Sequence, residues 1–64
     1  MATRFLPLRN VIDQTSLSRT SIYRLMALGD FPSAVPLGGR VAWVAAEVEA
    51  WCTAQVEAHR GAPV

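Results

Sequence analysis

The sequence predicts a mainly α fold with a small β-hairpin: three short helices around one core, with the hairpin between the second and third. Three observations carry this reading. Apolar residues recur at i, i+3, i+4 in two early segments, Leu8–Val11–Ile12 and Ile22–Leu25–Met26, which is the spacing of one helix face. Two adjacent glycines, Gly38 and Gly39, separate two short β-prone runs. The chain has 64 residues, 52% of them hydrophobic and 17% charged; that is too apolar for a disordered tail and sufficient for one small core.

Taken in order, Arg4-Phe5-Leu6 is a short apolar lead-in, extended or a brief strand, and Pro7 suits the first turn of a helix. In that helix Leu8, Val11 and Ile12 share one stripe, with Arg9, Asn10, Asp13 and Gln14 on the other side. Thr15-Ser16-Leu17-Ser18 is a turn of hydroxyl residues around a single apolar plug, Leu17. Ser18 is placed to cap the second helix, its hydroxyl accepting from the backbone N–H of Ser21. The capping box is incomplete, because Ser21 stands where Glu or Gln would reach back. Gly29 is a left-handed stop. Each helix is too short to persist alone, so each must lean on the other.

Ala34-Val35-Pro36-Leu37 and Arg40-Val41-Ala42-Trp43 then form the hairpin, since a two-glycine turn supplies the positive φ values that tight hairpins need. Pro36 cannot donate to a ladder, so its strand belongs at an edge. A third helix runs from about Ala45 to His59, with Val44, Val48, Trp51, Cys52 and Gln55 near one face. Phe31, Trp43 and Trp51 read as core, and Cys52 as a small buried hydrophobe. Residues 1–60 are expected to form one domain and residues 61–64 to fray.

Several function classes are excluded at this level. One cysteine makes no internal disulfide, and one Cys with one His makes no closed zinc site. No apolar run approaches the roughly 20 residues of a membrane span, and MATRFLPLRN holds no signal-peptide core. Glu47 and Glu49 are two apart and face different ways, His59 has no partner, and no Ser–His–Asp, Cys–His or metal spacing occurs. The expectation is a cytoplasmic protein that is not an enzyme, with no cofactor, no metal, no membrane partner and no small-molecule substrate.

The charge distribution is more informative than its sum of +1. All six basic residues are Arg. Through Trp43 five Arg oppose two Asp; from Val44 onward three Glu oppose one Arg. The chain is basic in front and acidic behind. Arg is also the side chain whose planar fork matches phosphate or a guanine edge.

Two short striped helices joined by a tight turn form a helix-turn-helix candidate. The outward face of the second helix carries Arg19, Thr20, Tyr23 and Arg24, with Ser21 at its shoulder and no carboxylate. Such a face suits a groove lined by phosphates and base edges, and the helix N-terminus at Ser18 adds partial positive charge. The bland readings are a solvated Arg24, a Tyr23 packed at the rim, and ordinary first-turn roles for Thr20 and Ser21. Arg19 fits the bland reading less well, because a cation at a helix N-terminus opposes the dipole. Gly39 and Arg40 at the hairpin tip would lie against a sugar–phosphate backbone or in a minor groove.

The order Arg4-Phe5-Leu6-Pro7, Val11-Ile12, Thr15 to Met26, Gly29-Asp30-Phe31-Pro32, Leu37 to Trp43 and Glu47-Val48-Glu49-Ala50-Trp51 resembles the AlpA-like family of phage and prophage regulators. These belong with the excisionase and MerR-type winged helix-turn-helix proteins. The resemblance spans about residues 4 to 57, and "LSRTSIYRLM" and "LGGRVAW" are its specific parts. It implies a winged helix-turn-helix that binds double-stranded DNA as a transcriptional regulator or an excisionase. The recognition helix, about residues 18–28, would lie in the major groove, and the wing, about residues 35–43, on the adjacent backbone or minor groove. Carried onto this chain, Arg19, Thr20, Tyr23 and Arg24 read the groove, Ser18 and Ser21 sit near phosphates, and Arg40 sits on the wing. Partners would be DNA, further copies on adjacent sites, and an integrase or RNA polymerase. Val44-Ala45-Ala46 departs from the family, which often has a polar cap and a charge just after the tryptophan. The competing class is a small protein-interaction module or antitoxin-like subunit that reads no DNA.

Overall fold

A computed structural model describes residues 2–60. Six elements follow in order: β1 (Phe5–Leu6), α1 (Leu8–Thr15), α2 (Arg19–Ala27), β2 (Val35–Leu37), β3 (Arg40–Val44) and α3 (Ala45–Arg60). The expected mainly α architecture with a hairpin is present, and the lead-in enlarges it. β1 pairs with β3, Phe5 opposite Val44 and Leu6 opposite Trp43, giving an antiparallel sheet of order β1-β3-β2. Pro36 accordingly lies in an edge strand, paired to Val41 on one side alone. Residues 61–64, expected to fray, lie outside the described residues.

The core takes one side chain from each of six segments: Leu6 (β1), Val11 (α1), Ile22 (α2), Phe31 (the α2–β2 connection), Trp43 (β3) and Val48 (α3). Val11, Ile22, Trp43 and Val48 have no exposed surface. Leu8, Ile12, Leu17, Leu25 and Met26 pack around them. Sharing one core among six segments explains how helices of 8 and 9 residues persist, since neither has the length for independent stability.

The α1–α2 turn is built by its hydroxyls. Ser16 closes α1 in the left-handed region at φ 63°, and its N–H donates to Ile12 O at 2.7 Å. Thr15 Oγ1 donates to Val11 O at 2.8 Å and accepts from Leu17 N–H at 3.2 Å. One hydroxyl therefore ties the end of α1 to the turn and holds Leu17 over the core. Thr15→Val keeps the shape and leaves the Leu17 N–H without its acceptor. We expect a loss of about 1 kcal/mol, read as a fall in Tm of roughly 4–8 °C for a domain this small.

Pro7 stands one residue ahead of α1, at φ −70° and ψ 165°, rather than inside its first turn. Its carbonyl still accepts from the N–H groups of Asn10 and Val11. Gly29 follows the last residues of α2 at φ +78°, as expected of a helix stop. Val44 corrects the reading of the third helix: it ends β3 instead of joining the α3 face. Pairing with Phe5 holds it in the strand, and the Ala45 N–H donates to Arg4 O at 2.8 Å where the helix begins. On α3, Val48 alone is fully buried, with Trp51, Cys52 and Gln55 half-buried on the same side. Trp51 packs edge-on against Phe31 at 4.8 Å between ring centroids, and its Nε1–H donates to Asp30 O. Trp51 and Cys52 thus line the margin of the core rather than its interior.

Candidate nucleic-acid interface

Helix α2 has two unlike sides. Ile22 is fully buried, and Leu25 and Met26 are half-buried beside it. Arg19, Thr20, Tyr23 and Arg24 are exposed, and Ser21 is half-exposed at their edge. The helical period that drives Ile22, Leu25 and Met26 inward turns the other set outward. The structure therefore brings the α2 residues singled out by the sequence onto one solvent-facing surface. No ion pair engages a guanidinium among the described residues.

Ser18 has a structural role first. It lies in an extended conformation ahead of α2, and its Oγ accepts from the Ser21 N–H at 3.1 Å. The same hydroxyl donates to Ser21 Oγ at 3.0 Å. Ser18 has thereby committed its proton within the cap, whereas Ser21 keeps its own O–H to donate outward. The sequence pattern located the cap but gave no sign of this side-chain pair.

The wing is built on Gly38 and Gly39, at φ +54° and +88°. Two successive positive φ values are what a type I′ hairpin turn requires. Arg40 leaves this turn exposed, opposite Leu37. Leu37 and Val41, 40% and 45% exposed, flank it with apolar surface. Sequence reasoning passed over both, because alternation in a strand of three to five residues does not tell an inward face from an outward one.

The remaining surface differs in character. Glu47, Glu49 and Glu57 on α3 are all exposed. An open groove of about 910 Å³ runs between the α2–β2 connection and α3, floored by Phe31, Pro32, Val35 and Trp51 and edged by Asp30 and Glu47. It shares no residue with the α2 face or the wing tip. No helix among the described residues is long and apolar enough to cross a membrane, and among them no group of three His, Cys, Asp or Glu side chains gathers to hold a metal ion.

Two helices joined by the three-residue turn 16–18, with a β-hairpin beside the second, define a winged helix-turn-helix. The model of a family described as prophage CP4-57 regulatory protein (AlpA) matches residues 4–56. A protein of Enterobacteria phage P4, described as uncharacterized protein ORF88, is 41% identical over 58 residues, which cover 89% of this chain and 66% of that protein. No solved structure matches significantly. The chain belongs to the AlpA family of prophage regulatory proteins.

Proposed function

We propose that residues 1–60 act as one module that binds double-stranded DNA in a sequence-specific way, as part of phage or prophage regulation. The observation that supports this most is the outward face of α2, which carries two guanidiniums, hydroxyls and a phenol, with no carboxylate among them. A helix of this kind fits the major groove and places its first turns against the base edges. In this reading Arg19, Thr20 and Arg24 reach into the groove. An Arg there forks onto guanine O6 and N7, and a hydroxyl donates to or accepts from bases and backbone alike. Tyr23 completes the face. Ser21 donates to a phosphate at the helix N-terminus, where Ser18 orders the backbone N–H groups. Gly39 lets the wing tip approach the backbone closely, and Arg40 pairs with a phosphate or enters the narrow groove.

A module of this size has limited affinity by itself. Specific control then calls for several copies on adjacent sites, or for a protein partner such as an integrase or RNA polymerase. The acidic surface of α3 is repelled by DNA and suits a protein-facing side. Excision and transcription control differ in where the sites lie. Protected sites flanking an attachment locus would mark an excisionase, and sites over a promoter a transcriptional regulator.

The test is duplex binding measured at several salt concentrations. Binding through phosphates weakens steeply with salt, by about 0.9 in log–log slope for each phosphate neutralised. Arg40→Ala should lower affinity nearly uniformly across sequences and reduce the slope by about one; an unchanged slope takes Arg40 out of the interface. Absence of duplex binding even at low salt would leave the protein-interaction class as the better reading.

A further inference from the structure

Tyr23 lies between the proposed DNA-binding face of α2 and the core. Arg19, one turn earlier on α2, places its Cζ 5.8 Å from the centroid of the Tyr23 ring. The same ring meets Trp43 in a T-shaped arrangement, with centroids 6.2 Å apart and planes at 73°. Trp43 is fully buried in β3, the strand whose first residue is Arg40. A continuous line thus runs from a guanidinium of α2, through one aromatic ring, into the strand that bears the wing.

Resting on the DNA-binding reading above, we propose that Tyr23 is a positioning residue: its ring, not its hydroxyl, is braced against Trp43 and aims Arg19. The physical basis is the face of the ring, which attracts a cation lying over it. Arg19 and Tyr23 are four residues apart, so they lie on the same side of the helix. An unrestrained Arg has many rotamers to lose when it meets DNA; one already held over a ring loses fewer. The edge-on contact with Trp43 is the geometry aromatic pairs prefer, and it ties α2 to β3 rather than to α1. Tyr23 is 38% exposed, partly covered by its neighbours and partly open to solvent. In this assignment the phenol oxygen contributes little to binding.

The role is tested by a set of variants on a duplex carrying the native site, together with nuclear magnetic resonance of the free protein. Tyr23→Phe keeps the ring, so its Kd should stay within about twofold of the parent. Tyr23→Leu keeps apolar cover on Trp43 and removes the ring face; its Kd should rise roughly 2- to 5-fold, the range of an exposed cation–π contact. Arg19→Ala should weaken binding at least as much, and adding Tyr23→Leu to it should bring less than the single-variant loss, because the two act as one unit. In the free protein, Arg19 side-chain signals should carry a ring-current shift that Tyr23→Phe keeps and Tyr23→Leu abolishes. A Tyr23→Phe loss equal to that of Tyr23→Leu would make the hydroxyl a direct contact and overturn the proposal. Full additivity with Arg19→Ala, or absence of the ring-current shift, would overturn it too. A parent protein that binds no duplex at all while the shift is present would remove the DNA reading, and with it this role, while leaving the Arg19–Tyr23 contact intact.

Discussion

Trp43→Ala is expected to unfold the protein at room temperature. Trp43 is the largest fully buried side chain, sits on the middle strand, and is paired with Leu6 and packed against Tyr23. Replacing such a residue by Ala typically costs about 3–5 kcal/mol. A chain of 64 residues has a total stability of only about 3–10 kcal/mol, so the loss takes much or all of it. Far-UV circular dichroism and a urea titration read the outcome directly; a cooperative transition near that of the parent would show that the core does not depend on this residue. Trp43→Phe is the informative contrast. Trp43 Nε1 is buried with no hydrogen-bond partner among the described residues, a situation that itself costs about 1–3 kcal/mol. Phe removes that orphaned donor while giving up part of the packing, and the net loss should stay below about 1.5 kcal/mol.

Arg24→Ala should have the largest effect on DNA recognition with little effect on the fold. Its side chain is exposed on α2, and exposed substitutions of this kind change stability by roughly 0.5 kcal/mol or less. A bidentate contact to a base is worth about 1–3 kcal/mol of discrimination. The specific complex should therefore weaken about 5- to 150-fold, and random duplex binding much less. Competition titrations with native-site and scrambled duplexes separate the two. Equal losses on both would place Arg24 against a phosphate instead.

Much of this arrangement is legible in the sequence, for local reasons. Ser18 caps α2 because its hydroxyl and the Ser21 N–H are three residues apart, a relation any reader of the chain can see. Gly29, Gly38 and Gly39 mark positions of positive φ that few other residues tolerate. The outward set on α2 follows from the period that buries Ile22. What escaped is long-range. β1 is two residues long, too short to show a period, and its partner lies nearly forty positions away. That pairing keeps Val44 in the sheet, whereas its spacing to Val48 suggests a place near the α3 face. Trp51 reads as core by size; its N–H reaches Asp30 O across 21 positions and holds it at the margin. The α2 face was legible residue by residue, but not the Ser18–Ser21 hydroxyl pair or the contacts of Tyr23 with Arg19 and Trp43. Those depend on rotamers and on the crossing of α2 and β3, which no local pattern encodes.

In the proposed complex one surface, the outer side of α2 together with the glycine-built wing tip, receives the double helix. This is tested most directly by titrating isotope-labelled protein with duplex DNA and following each backbone amide. The largest shifts are expected at residues 18–24 and 38–41, with α3 from Glu47 to Gln55 nearly unmoved. Shifts concentrated along the groove of Phe31 to Val35 and α3, with α2 silent, would contradict it.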